Sequence, residues 1–166
     1  MKNIIIKTTI AALIALAVSF SPARAEEEGK EIAKAKVPAA ALAAIQKYAG
    51  EGKVGKILLE KHGKTTVYEA AIAGPGKAQR EVAVTEDGKI QCEEIVITLA
   101  EVPEKARAAM TAHAKGGKIT EVIQIKEDGH TLYEAEIETD GKKVEVKFTE
   151  GGKVKADDEK DEAEKK

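Results

Sequence analysis

The chain has no tryptophan and one cysteine, and beyond its first 25 residues it has no serine and no asparagine. Each absence removes a class of chemistry. Without a serine there is no Ser-His-Asp triad. Cys92 alone closes no intramolecular disulfide, although export would permit one. His62, His113 and His130 stand far apart, and none falls in an H-x-x-x-H or Cys/His cluster of zinc-ligand spacing. No D-x-D-x-D-G calcium loop occurs; Glu86-Asp87-Gly88 and Glu127-Asp128-Gly129 read as hairpin turns. No catalytic, cofactor-binding or metal-ligating residues are assigned. The aromatics beyond residue 25 are Tyr48, Tyr68, Tyr133 and Phe148 only, and the arginines there are Arg80 and Arg107.

What is present begins with a leader. Lys2 and Lys7 give a positive start, and Thr8 to Phe20 is apolar, too short to span a bilayer comfortably. Ala23-Arg24-Ala25 supplies a small-x-small cleavage pattern, so residues 1–25 read as a signal peptide and the mature protein as periplasmic or secreted. No later run approaches membrane length. Lys2, Lys7 and Arg24 leave with the leader, so 24 basic side chains face 29 acidic ones, a net charge of −5. That balance opposes nucleic-acid binding, which needs a basic footprint.

The remaining chain repeats itself. At an offset of 65, residues 37–72 match residues 102–137 without a gap, with 14 of 36 positions identical. The strongest block sets Thr66-Val67-Tyr68-Glu69-Ala70-Ala71-Ile72 against Thr131-Leu132-Tyr133-Glu134-Ala135-Glu136-Ile137. Beyond it the offset falls to 64, and Gly88-Lys89-Ile90 meets Gly152-Lys153-Val154. Two tandem copies of one unit follow.

Each copy opens with a helix whose first turn holds Pro38 or Pro103, where the missing N–H has no partner in any case, and which is striped by Leu42, Ile45 and Tyr48, or by Ala106, Ala109, Met110 and His113. Four short strands follow, separated by Gly-containing turns such as Asp87-Gly88, Asp128-Gly129 and Asp140-Gly141. Hairpin-joined strands are antiparallel. The fold class is therefore α+β: two repeats of helix plus four-stranded antiparallel β-meander, forming one continuous sheet with the helices on one face. Alternation places Tyr68, Ala70, Ile72, Val82 and Val84 under the first helix, with Ile90 and Cys92 beside them. Tyr133, Ala135, Ile137, Val144, Val146 and Phe148 lie under the second, followed by Val154. Cys92 then reads as a packing residue, with an intermolecular disulfide as the other reading. The opposite face is expected to be open and polar.

An exported chain with two such units, each bearing Val/Leu-Tyr-Glu-Ala in its second strand and a later acidic-Gly-Lys turn, resembles the PepSY-like family, which includes relatives of beta-lactamase inhibitory protein. The resemblance covers about residues 37 to 158. It implies an exported, non-enzymatic binding or regulatory module, of the inhibitor type proposed for relatives, whose partner is an exported or envelope protein met on the open sheet face. The candidate partner-binding residues are Glu69, Glu81, Glu134, Glu136, Glu145 and Lys147. A small-ligand or cation-binding periplasmic protein is the second reading of the same acidic face. The inhibitor grips its enzyme with aromatic side chains, whereas all four aromatics here fall on stripes assigned to the core. The expected organisation is a leader at 1–25, a charged segment at 26–36, repeats at 37–101 and 102–158, and a charged disordered tail at 159–166, too polar to support a core.

Glu93 to Leu99 alternates Ile95, Ile97 and Leu99 with Glu94, Val96 and Thr98, which reads as a strand rather than a Gly- and Pro-rich linker. One cooperative unit is therefore expected. Residues 26–101 expressed alone should give a poorly folded or self-associating fragment. A monomeric fragment whose thermal transition matches that of the mature chain overturns that expectation.

Overall fold

The computed structural model describes residues 29–62, 64–74 and 79–155. The leader, the tail at 159–166 and the turn at Pro75-Gly76 lie outside the described residues. The described elements run β1 (Lys30–Glu31), α1 (Ala39–Ala49), β2 (Lys53–His62), β3 (Thr65–Ala73), β4 (Gln79–Thr85), β5 (Ile90–Val96), α2 (Glu104–Ala114), β6 (Lys118–Glu127), β7 (His130–Thr139), β8 (Lys142–Thr149) and β9 (Val154–Lys155). Short 3-10 turns at Lys34–Lys36 and Leu99–Glu101 precede the two helices. The nine strands follow one another in chain order in one antiparallel sheet. The α+β fold class expected from the repeats is the observed one. The chain divides into two compact units, through Glu93 and from Glu94.

The repeat is carried to the level of single hydrogen bonds. Both helices have eleven residues and start 65 apart, each after a proline at the N-cap, one position earlier than the expected first-turn site. Residues 30–36, set apart in sequence as a charged segment, hold β1 and a 3-10 turn. Their counterparts are the end of β5 and the turn at Leu99–Glu101. The Ile32 N–H donates to the Ile57 carbonyl at 2.9 Å, and the Ile97 N–H donates to the Val122 carbonyl at 2.9 Å. Even a backbone irregularity recurs: the β2–β3 register shifts between Val54 and Ile57, and the β6–β7 register between Ile119 and Glu121.

In each unit the helix buries a narrow, small-residue stripe against the sheet. Ala41, Ile45 and Ala49 of α1 pack with Tyr68, Ala70, Ile72, Val82 and Val84. Ala106, Met110 and Ala114 of α2 pack with Tyr133, Ala135, Ile137 and Phe148. The alternation assigned to the helix-covered face therefore holds, with exceptions at strand ends and edges. Ile90, Val144 and Val154, expected on that face, are 39%, 52% and 54% exposed. Ile90 opens β5 just after a turn. Val154 belongs to a two-residue strand. Val144 lies on β8 beyond the reach of β9, which pairs only with Lys147 and Phe148.

A second recurring contact fixes the helix to the far end of the meander. The Gly88 N–H donates to Thr85 and the Gly152 N–H to Thr149, both at 2.9 Å, while the two threonine hydroxyls accept from the Lys89 and Lys153 N–H groups. Both glycines have positive φ, and a Cβ on either would strike the helix backbone. It would lie 2.7 Å from the Ala40 carbonyl oxygen at Gly88 and 2.6 Å from that of Lys105 at Gly152. Glycine is required here twice over, by backbone conformation and by contact.

Gly141 separates the two requirements, since it has φ +75° but nothing within 4 Å of its Cβ position. Gly141→Ala should cost about 1 kcal/mol, the left-handed penalty alone. Gly152→Ala should cost roughly 3 kcal/mol, because backbone must also shift. Urea titration of both variants checks this; equal midpoints would show that the turn does not bear on the helix.

Candidate functional site

The face opposite each helix is built from cross-strand rows whose members are fixed by register. In the first unit, Leu58 of β2 stands opposite Glu69 of β3, which stands opposite Ala83 of β4; Ala71 stands opposite Glu81. In the second unit, Ile123, Glu134 and Lys147 form one row across β6, β7 and β8. Glu121, Glu136 and Glu145 form the next. Side chains directly opposite one another are the interacting units of a sheet.

This face is not the open, solvated surface expected from the sequence. Glu69, Glu81 and Glu134 are only 5%, 9% and 6% exposed. The reason lies in the strands that first follow each helix. Alternation along β3 and β7 marks carboxylates as outward, but β2 and β6 contribute Leu58, Ile123 and Ile125 to the same face. Val67, Ala83, Ile123 and Ile125 are buried there as well. The face is therefore mixed, with apolar residues among its carboxylates. Of the six candidate binding residues, Glu145 is exposed, and Glu136 and Lys147 are half-buried.

The second unit arranges these groups into two charged clusters. The Lys147 ammonium lies 3.4 Å from the Glu134 carboxylate, and the two side chains are 17% and 8% exposed. A pair held this far from water gains more from Coulomb attraction than a surface pair, and loses more when one partner is removed. In the adjoining row the Lys143 ammonium lies 2.9 Å from Glu136. Thr120, at the bulge, donates its hydroxyl to the same carboxylate. Burial pushes the Glu136 carboxyl up, but the Thr120 and Lys143 hydrogen bonds more than offset it and leave it below the ordinary value. Glu121 is held above the ordinary value, by burial first and then by the negative charges of Glu136 and Glu145.

Other residues singled out in sequence fall into place as structure. Tyr68 and Tyr133 are buried in their helix–sheet seams, and the Tyr133 hydroxyl accepts from Gln124 Nε2 at 3.2 Å. Cys92 is buried. His113 is exposed on α2, with its ring edge-on to Phe148 at 5.8 Å. Tyr48, expected in the core, is half-buried beneath Arg80, whose guanidinium lies 5.4 Å from the ring centroid and donates to the Ala49 carbonyl at 2.9 Å. Arg80 was missed, although it shares strand parity with Val82 and Val84 under the helix and could have been placed by it. Glu94 was missed as well: it reads as the polar member of an alternating strand and is 2% exposed. Thr120 gave no signal, since its role depends on the bulge register. Among the described residues, no group of three His, Cys, Asp or Glu side chains is placed to hold a metal ion. No described helix is long and apolar enough to cross a membrane.

Comparison with known proteins agrees with the geometry. Residues 102–149, from α2 through β8, match the PepSY family model, described as peptidase propeptide and YPEB domain. No curated protein sequence matches the chain. Among solved structures, the chain is similar to a BLIP-like protein from Bacteroides fragilis at 21% identity, covering 72% of this chain and 84% of that one with a TM-score of 0.54. It is similar to a DUF2874 family protein from Bacteroides ovatus at 13% identity, covering 70% and 83% with a TM-score of 0.57. It is also similar to a protein from Bacteroides eggerthii described as periplasmic, at 20% identity, 71% and 85% coverage and a TM-score of 0.59. The PepSY-like, BLIP-like resemblance carried by the repeated motif is thus shown, and at these identities the structural likeness is one of fold.

The Glu134–Lys147 pair supplies a test of this face. Lys147→Met should cost about 2 kcal/mol by stranding the Glu134 carboxylate, and adding Glu134→Leu should recover most of that loss. Chemical denaturation of the two singles and the double checks it. Additive losses would show that the pair does not act as a unit.

Proposed function

We propose that the chain is an exported, non-enzymatic PepSY-like module that binds a partner protein through the face of its sheet opposite the helices. The observation that carries this reading is the paired row structure of the second unit. Glu145 is exposed, with half-buried Glu136 and Lys147 beside it; strand register places all three, and ion pairs hold Glu136 and Lys147. Groups held on paired strands are preorganised, so ordering them costs little on association. The helices are committed to covering the other face.

Export is supported by the leader pattern at residues 1–25 and by the likeness to the Bacteroides eggerthii protein described as periplasmic. An inhibitor that grips its target with aromatic side chains is disfavoured. Tyr68, Tyr133 and Phe148 are buried, and Tyr48 lies under Arg80. Binding would instead rest on charge complementarity, which sets partner choice and association rate more than raw affinity.

Photo-crosslinking tests this directly. A crosslinking residue at position 145 should capture an envelope protein in cells, and one at Glu104 on the exposed side of α2 should not. Lys147→Glu should weaken the capture from position 145 by tenfold or more, about the effect of reversing one charge at an interface. Equal capture from positions 104 and 145, or none at either, overturns the assignment of this face.

A further inference from the structure

The two repeats differ at one sheet edge. In the first unit β4 is flanked by β5, a strand of seven residues. Its counterpart β8 is flanked by β9, a strand of two residues that pairs only with Lys147 and Phe148. Among the described residues no strand lies beside positions 142–146 on that side. Register tells which backbone groups this leaves open. The Thr149 N–H points outward, donating to the Lys153 carbonyl at 2.9 Å. The β7–β8 register runs without a shift from Leu132–Thr149 to Thr139–Lys142. Backbone groups of an antiparallel strand alternate between its two sides, so Lys143 and Glu145 turn their N–H and C=O groups to the open edge. Lys142, Lys143, Val144 and Glu145 are all exposed, and Val144 is a large apolar side chain among them.

We propose that two copies of the chain meet at this edge, β8 pairing antiparallel with β8 of the second copy about a two-fold axis at Val144. Outward residues must pair with outward ones, so the axis passes through a residue and not between two. An axis at Lys143 sets lysine against lysine, and one at Glu145 sets glutamate against glutamate. An axis at Val144 sets Lys143 opposite Glu145 of the second copy, and Glu145 opposite its Lys143. Opposite charges across a sheet contribute to pairing, and like charges oppose it. In this register every open N–H meets an open carbonyl. Val144 faces itself in a non-hydrogen-bonded pair, the arrangement that brings side chains closest. Glu145 also gains the cation its own sheet does not set across from it, where it stands opposite Glu136.

A lysine on a sheet edge ordinarily keeps foreign strands away. Glu145, two residues on, turns that guard into a selector for a strand with the matching Lys-x-Glu order. The chain's own residues beyond Lys155 match this edge less well. The β8–β9 register, continued, would set Glu159 opposite Lys143 but Asp157 opposite Glu145. An isologous contact uses the same patch on both copies and closes on itself, so this edge gives a dimer and not a filament. The contact is short, so association is weak and concentration-dependent. This inference stands apart from the binding of an envelope partner, and its readout needs none.

Sedimentation equilibrium of the full mature chain tests it. Reversible dimers should appear between about 10 μM and about 1 mM, the range suited to a contact below the standard interface size. Val144→Cys should oxidise to a covalent dimer, because directly opposed residues lie within disulfide reach. Lys142→Cys, on the same face but two residues from the axis, should not. Glu145→Lys should weaken dimerisation about tenfold or more, since like charges then face each other at both ends of the contact. Lys143→Glu should do the same. Mixing these two variants should restore dimers, because each residue at 143 again meets an opposite charge at 145. If Lys143→Glu folds poorly through loss of its Glu136 contact, Glu145→Lys and the two cysteine variants decide. A chain monomeric throughout the range, as expected if residues 156–160 cover the edge or another protein's strand is its occupant, overturns the proposal. So do dimers that Glu145→Lys leaves unweakened, or equal crosslinking from positions 142 and 144.

Discussion

Everything else in each unit depends on how closely a helix of small residues can approach the sheet. Ala41 and Ala70 in one unit, and Ala106 and Ala135 in the other, are fully buried. Their small size leaves room for Tyr68 and Tyr133 to lie within the same seam. Polar groups on the sheet face beneath the helices are met there: Arg80 donates to the Ala49 carbonyl, and the Tyr133 hydroxyl accepts from Gln124. The seam also sets the reach of the meander: the Thr-Glu turn after β4 or β8 must touch the first turn of the helix, and only a glycine lets it come close enough. A larger side chain in the stripe would lift the helix and break that second contact. Such coupling is why packed interiors respond to changes of a single methylene.

The seam was legible in the sequence, and the opposite face was not. Strand parity placed Tyr68, Ala70 and Ile72, with their partners 65 residues on, because a helix-covered strand must present one apolar set. The same parity was not followed to Arg80, because an arginine is a poor core residue by composition. The other face failed because parity was followed along β3, β4, β7 and β8 but not into β2 and β6. Leu58, Ile123 and Ile125 come from those strands and surround Glu69 and Glu134. Only register shows that Ile123 stands opposite Glu134 and that Lys147 lies across from it. Register also depends on a bulge; a glycine inside a strand, such as Gly55, is a sign of one, but Thr120 gives none. The same limit hid Glu94, whose alternating neighbours read as a half-exposed strand.

The two units differ most where the backbone is most alike. Tyr48 and Arg80 of the first unit correspond to His113 and Val144 of the second. One pair stacks a guanidinium over a phenol and bonds it to the end of the helix. The other leaves a histidine edge-on to Phe148 and an exposed valine. On the opposite face, Leu58, Glu69 and Ala83 correspond to Ile123, Glu134 and Lys147, so an apolar neighbour in one unit becomes a cation in the other. The Glu134–Lys147 pair thus belongs to the second unit, whose residues 102–149 match the PepSY model.

The shared bulge has a history written into it. Gly55-Lys56 and Thr120-Glu121 occupy the same irregularity of the backbone, and their side chains reach different neighbours: Lys56 lies 3.4 Å from Glu31 of β1, whereas Thr120 donates to Glu136 of β7. A duplication hands down geometry at once and chemistry only as far as later substitution leaves it. The kink in β2 and its counterpart in β6 are thus one bend fitted with two different contacts. Residues placed at such a bend can change their contacts while the backbone irregularity stays the same.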